Sequence, residues 1–300
     1  MPDIMVRIKS DDQSSWFSSN EKNISSFEHI LNRIKSDEVK VLFIKHDWSK
    51  PLKMPSLNAQ QLAALPCMVQ VYIDRPDLVH EDNIEFFSSQ KIRAIIPYSH
   101  DFFKSSKINK FISAFECFQV YVPIKNDTVC DYSHLPVKEF NNFIGYILSF
   151  DRPDYYSCPS PFPFEEAGER FELLESVLKK LSVPGANYSF SFHCGMPLCS
   201  FDAKQLGRLV HYPVKFPLSF CLPLLCLESD GNVKYCPGFN FGTGINFLKM
   251  DSFFSVKEKM YEQIIPFNSF CECGIASDCR SRLTNACGGG AMKRVADGWT

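Results

Sequence analysis

The sequence predicts an α/β chain: an open or incomplete parallel barrel over its first two thirds, then a small cysteine-rich module. Three observations predict it. Strand-type runs alternate with amphipathic helical runs as far as residue 193, the signature of βαβ units and a parallel sheet. After Cys199 the helical periodicity gives way to Pro-rich and then Cys-rich sequence. Of the 13 cysteines, seven lie between residues 221 and 287.

Element by element, β-type runs fall at Ile4–Ile8, Val39–Ile44, Met68–Ile73, Ile92–Ile96, Phe118–Val122 and Tyr188–His193. Phe143–Phe150 reads equally as strand or helix. Phe27, Ile30, Leu31 and Ile34 share one helical face at 3–4 spacing, and Phe171, Leu174, Leu178 and Leu181 do so in the longest helix, Phe164–Leu181. Pro153, Pro159, Pro161 and Pro163 mark a loop before it. Beyond residue 200, Pro213, Pro217, Pro223 and Pro237 suppress helix. Leu225–Cys236 reads as strand, Asp230-Gly231 turn, strand. A short helix follows at Ser255–Ile265, then the Cys- and Gly-rich stretch Cys271–Gly290. The expected domains are therefore 1–200 and 201–300.

Composition excludes several function classes. Hydrophobic residues make up 45% and charged residues 22%, which is globular rather than disordered. With 32 Lys+Arg against 34 Asp+Glu, the net charge of −2 removes the electrostatic case for a nucleic-acid partner. No apolar run reaches 18 residues, and residues 1–20 hold no signal-peptide stretch. The expected location is the cytoplasm, with no membrane partner. Cytoplasmic chains do not normally build structural disulfides, so crowded cysteines there point to metal ligation. The 28 Phe predict a core filled by large aromatics.

The cysteines form two groups. The first is Cys221-x4-Cys226-x9-Cys236. A three-residue hairpin loop, Ser229-Asp230-Gly231, pairs Glu228 with Asn232 and sets Cys226 opposite Lys234. Cys226 and Cys236 then share a face as diagonal neighbours; a two-residue loop would put them on opposite faces. The second group is Cys271-x-Cys273-x5-Cys279-x7-Cys287, followed by Gly288-Gly289-Gly290. Glycine lets backbone approach a bulky object closely. Any one buried Cys reads simply as a small core hydrophobe; seven at these spacings read as soft ligands for iron–sulfur or zinc. No pair of Cys-x2-Cys knuckles is present.

The spacing of Cys221, Gly231 and Cys236 (nine residues, then four) resembles the opening of the SPASM auxiliary-cluster domain. Cys273-x5-Cys279, followed by Cys287-Gly-Gly, is similar to its closing half. SPASM domains usually follow a radical SAM partial (β/α)6 barrel, and residues 4–193 look like that barrel. Pro197-Leu198-Cys199 after the last strand is similar to a common feature there. The chain departs from the radical SAM pattern in two places. The loop after the first strand, Lys9–Phe17, holds no cysteine where the family carries Cys-x3-Cys-x2-Cys, and the first cysteine of the chain is Cys67. The turn after the second strand is Lys45-His46-Asp47-Trp48-Ser49-Lys50-Pro51 where the family has Gly-Gly-Glu-Pro. The resemblance thus implies a pseudo-radical-SAM protein that binds no SAM. It implies one [4Fe-4S] auxiliary cluster on Cys221, Cys226, Cys236 and Cys287. A second site at Cys271, Cys273 and Cys279 lacks its fourth cysteine.

Three functions follow as expectations. One is an accessory, non-catalytic iron–sulfur protein that serves a sister radical SAM/SPASM enzyme, a precursor peptide, or both. Another is a redox enzyme or electron carrier using the auxiliary cluster. The third is a zinc-stabilised interaction module. Strand-end loops are where α/β folds bind ligands, and here they carry Trp16, Phe17, His46, Asp47 and Trp48. These aromatics are read either as exposed anchors for a peptide or protein, or as plugs filling the space left by the absent cofactor. His46-Asp47 reads as an acid/base pair or as a solvated strand end. His193 beside Cys194 reads as a ligand or as an ordinary half-buried histidine. Arg280, Arg282, Lys293 and Arg294 read as cations around a cluster or as a solvated tail. No phosphate loop, dinucleotide fingerprint, serine elbow or zinc-protease motif is present.

Overall fold

The computed structural model describes residues 3–7, 32, 41–51, 64–65, 67–89, 91–99, 102–103, 108–124, 140–150, 170–183, 187–192, 201–215, 225–227, 231–234 and 242–268. Within them the strands are β1 Asp3–Arg7, β2 Val41–Lys45, β3 Met68–Tyr72, β4 Ile92–Pro97, β5 Cys117–Ile124, β6 Phe143–Phe150, β7 Ser189–Phe192, β8 Val214–Lys215, β9 Leu225–Leu227, β10 Asn232–Lys234 and β11 Gly242–Asn246. The helices are α1 Glu81–Ser89, α2 Ile108–Ile112, α3 Phe171–Leu181, α4 Ala203–Leu209 and α5 Phe253–Asn268. Strand order is β11-β10-β9-β1-β2-β3-β4-β5-β6-β7-β8. The pairs β1–β2, β2–β3, β3–β4, β6–β7 and β7–β8 are parallel. The fold is the expected α/β partial barrel. Six expected strands are present with ends moved by one or two residues, and Phe143–Phe150 is a strand. The helical face Phe27–Ile34 lies outside the described residues, apart from helical Asn32.

The chain divides into two compact units. The first comprises residues 1–119, 140–143 and 223–260; the second comprises 120–139, 144–222 and 261–300.

In the first unit, β2, β3 and β4 are nearly continuous apolar runs, as strands covered on both faces must be. Leu42, Ile44, Val69, Val71, Ile92, Ala94 and Ile96 are all buried. The phenylalanine excess appears as a ladder of rings. Trp48 meets Phe87 at 5.0 Å, Phe87 meets Phe115 at 4.9 Å, Phe115 meets Phe111 at 5.2 Å, and Phe111 meets Phe102 at 5.4 Å. Most are edge-on or tilted, the arrangement the ring quadrupole favours. The β9–β10 hairpin pairs antiparallel with Val233 opposite Leu227 and Lys234 opposite Cys226. That is the register of the three-residue loop. Gly231 closes it at φ +82°, a conformation glycine adopts without a Cβ penalty. β9 also pairs parallel with β1, Met5 opposite Cys226. Helix α5 starts two residues before the predicted Ser255 and runs three beyond Ile265; Ser252 Oγ caps it by accepting from Ser255 N at 3.1 Å.

In the second unit, α3 buries Phe171, Leu174, Val177, Leu178 and Leu181, the predicted stripe with Val177 added. The predicted start at Phe164 lies outside the described residues. At its C-terminus the Tyr188 hydroxyl donates to Leu181 O and accepts from Val183 N at 2.7 Å, satisfying a terminal carbonyl. Helix α4 opens on a capping box: Asp202 Oδ1 accepts from Gln205 N at 2.7 Å, and Gln205 Oε1 accepts from Asp202 N at 3.0 Å. Arg208 of α4 forks onto α3, donating to Glu172 at 2.6 and 3.0 Å and to Glu175 at 2.9 Å. Its guanidinium carbon lies 4.7 Å from the centre of the Phe171 ring.

Candidate functional site

The loop that follows β2 lies at the C-terminal end of the parallel strands of the first unit, where α/β folds place their ligand chemistry. It runs from His46 to Pro51 and starts as a tight turn, with Lys50 N donating to Asp47 O at 3.0 Å. Asp47 is exposed and holds the turn locally. Its Oδ1 accepts from Ser49 Oγ at 2.6 Å and from Ser49 N at 3.2 Å, and Oδ2 lies 3.7 Å from Lys50 Nζ. The Ser49 hydroxyl bond holds its carboxyl below the usual range.

Trp48 does the reverse of its neighbours. Its side chain is 1% exposed. The indole Nε1 donates to Tyr72 O, on the last residue of β3, at 2.9 Å. Phe87 of α1 and His46 each meet the indole edge-on at 5.0 Å. The loop backbone is fastened by other groups. Trp48 O accepts from His80 N at 2.9 Å and from Asn83 Nδ2 at 2.9 Å, and Asn83 Nδ2 also reaches Lys50 O at 2.8 Å. Asn83 is itself 1% exposed. Of the two readings of Trp48, burial excludes the exposed anchor. Trp16 and Phe17 lie outside the described residues.

His46 and Asp47 do not form an acid/base couple. Asp47 is committed to Ser49 and Lys50, and His46 Nε2 lies 3.2 Å from Lys50 O. Nδ1 of His46 is buried with no hydrogen-bond partner among the described residues. Burial lowers the pKa of His46, so the ring is neutral at pH 7. Beyond β3, exposed Asp74 has a raised pKa, chiefly from partial desolvation, with the Asp47 charge adding to it. Sequence reasoning missed Asn83, Tyr72 and Phe87. They meet Trp48 from 24 to 39 positions away, and no local periodicity marks such contacts.

The expected metal ligands fare differently. Cys226 is placed on β9 opposite Lys234 and Met5. Cys221, Cys236, Cys271, Cys273, Cys279 and Cys287 lie outside the described residues, as do His193, Cys194 and Cys199. So do Arg280, Arg282, Lys293 and Arg294. Among the described residues, no three His, Cys, Asp or Glu side chains are grouped to hold a metal. The β9–β10 register sets Cys226 opposite Lys234, as a three-residue loop requires, and an all-thiolate donor set suits an iron–sulfur cluster or zinc. Of the other cysteines, half-buried Cys67 has its thiol pushed up to about 11 by burial, so it stays protonated at pH 7. No helix among the described residues is long and apolar enough to cross a membrane.

No protein-family model matches the sequence, and no curated protein matches it significantly. Solved structures do match. SuiB of Streptococcus suis bound to S-adenosylmethionine has a TM-score of 0.59 at 13% identity, over 99% of this chain and 74% of that one. SuiB bound to the precursor peptide SuiA has a TM-score of 0.52 at 12% identity, over 83% of this chain and 63% of that one. A further SuiB structure has a TM-score of 0.50 at 13% identity, over 83% and 64%. Identity this low establishes the fold and leaves the chemistry to the site. The chain therefore shares the α/β partial-barrel fold of these SuiB structures.

Proposed function

We propose that the chain is an accessory, non-catalytic iron–sulfur protein of the pseudo-radical-SAM kind, assisting modification of a ribosomal precursor peptide by a sister radical SAM/SPASM enzyme. The loop after β2 carries the reading. Where the radical SAM resemblance calls for an open glycine-rich turn, this chain has Trp48, buried and hydrogen-bonded to Tyr72. The lack of any cysteine before Cys67 supports the same conclusion. In this reading residues 1–200 form the degenerate barrel, and residues 201–300 form a SPASM-like module that holds one [4Fe-4S] cluster through Cys221, Cys226, Cys236 and Cys287. When bound, such a cluster supplies one-electron chemistry. The chain's own four thiolates would hold it. The SuiB structure bound to its precursor peptide supports a peptide as partner.

Three measurements test the proposal. Protein purified anaerobically is expected to be brown, with iron and acid-labile sulfide; stoichiometric zinc without sulfide would instead favour the zinc-stabilised module. Incubated with SAM and a reductant, the purified chain is expected to release no 5′-deoxyadenosine above a no-protein control, and release above that control overturns the non-catalytic reading. If a radical SAM/SPASM enzyme and a short peptide are encoded beside it, a pull-down with them is expected to recover at least one. No association at micromolar concentration would defeat the accessory role.

A further inference from the structure

We propose that Lys234 tunes the cluster site: placed directly across the β9–β10 ladder from the ligand Cys226, it offsets the negative charge of the bound cluster and raises its reduction potential. This deepens the iron–sulfur reading proposed above and rests on it.

The strand pairing builds a row of residues across the sheet. Lys234 of β10 stands opposite Cys226 of β9 on one side and opposite Gly242 of β11 on the other. Cys226 in turn stands opposite Met5 of β1. Residues directly opposite in an antiparallel pair are neighbours on one face of the sheet, with Cβ atoms about 4.5–5.5 Å apart. Lys234 brings the only positive charge to this row, since Gly242 has no side chain and Met5 is neutral.

The sequence isolates the same residue. Within two positions of Cys221, Cys226, Cys236 and Cys287, Lys234 is the only Lys or Arg, and Glu228 is the only Asp or Glu. Lys234 is thus opposite one proposed ligand and two positions before another, Cys236. A cluster held by thiolates is anionic, and its reduction adds one further electron with no bond made or broken. A fixed cation stabilises the reduced form more than the oxidised form, and net charge is one of the levers that set cluster potentials. At an effective dielectric of about 20, a unit charge about 10 Å away shifts such a one-electron equilibrium by roughly tenfold.

The experiment uses the full chain, reconstituted anaerobically with iron and sulfide. Metal and sulfide content, melting temperature and the midpoint potential are measured, the last by dithionite titration followed by electron paramagnetic resonance. Lys234→Gln is expected to lower the midpoint, so that at the parent's midpoint the reduced-to-oxidised ratio falls about tenfold, equal to about 59 mV for one electron. Lys234→Arg is expected to keep the parent midpoint, and so is Met5→Leu, which alters packing on the other side of Cys226 without changing charge. A folded, loaded Lys234→Gln chain with the parent's midpoint overturns the proposal, and the iron and sulfide it holds leave the cluster reading standing. An equal drop in Lys234→Arg shows a packing role and overturns the proposal as well. A parent chain without iron and sulfide overturns the cluster reading, and this proposal falls with it. If Lys234→Gln does not load, Lys234→Met is read in its place. Loading lost in both but kept in Lys234→Arg supports the charge role, and loading lost in all three overturns it.

Discussion

Three side chains at the C-terminal rim of the first unit have effects that can be measured one at a time. Trp48→Ala removes a fully buried ring and its hydrogen bond, and is expected to cost about 3–5 kcal/mol, read from denaturant unfolding. His46 is held neutral because burial disfavours its charged form. Its folded pKa lies below its unfolded value, so the unfolded chain binds the extra proton as pH falls. Stability is full above about 6.5 and declines below it. His46→Gln, which stays uncharged, is expected to flatten that part of the stability profile between pH 7 and 5. Asp74 has the opposite sign. Its folded pKa is raised by partial desolvation and by the Asp47 charge, so stability is lost as pH rises through the folded pKa. Asp74→Asn is expected to raise the melting temperature at pH 7, with a gain that shrinks toward pH 4. A gain independent of pH would refute this account of Asp74.

At the scale of elements, two glycines decide whether strands can meet. Gly145 in β6 sits at φ +149°, and a Cβ there would lie 2.1 Å from Ser189 O in the neighbouring strand β7. The neighbour is backbone and cannot turn aside. Gly145→Ala is expected to destabilise by roughly 1–3 kcal/mol from the backbone conformation alone, with the collision added, and to lower soluble yield. Gly231 sits at φ +82° in the β9–β10 turn, and its Cβ would meet the flexible Leu248 side chain at 2.8 Å. Gly231→Ala is expected to cost less, roughly 1–2 kcal/mol. Because Gly231 lies between Cys226 and Cys236, two ligands of the proposed cluster, that variant is also expected to lose bound iron out of proportion to its loss of stability, measured as iron per folded chain.

At the scale of the molecule, the alternation of strand and helix patterns was enough for the α/β class, because a parallel strand covered on both faces must be apolar throughout and a covering helix must carry a stripe. The Asp230-Gly231 turn was enough for the hairpin, while the choice between its two- and three-residue loop registers came from the pairing of Val233 with Leu227 and Lys234 with Cys226. Those are local constraints, written within a few residues of where they act. The thiolate spacing was legible in the same way as a candidate metal set. Other features needed the folded chain. The short strand Leu225–Leu227 pairs with β1, more than 200 positions earlier, because hydrogen bonds at a sheet edge carry no sequence signature of their partner. The side chain of Trp48 is adjacent in sequence to exposed charges and reads equally as an exposed anchor or a buried plug. Only the tertiary structure, by bringing the carbonyl of Tyr72, the ring of Phe87 and the carboxamide of Asn83 to one point, decided that it is buried, because burial depends on what the chain brings from elsewhere.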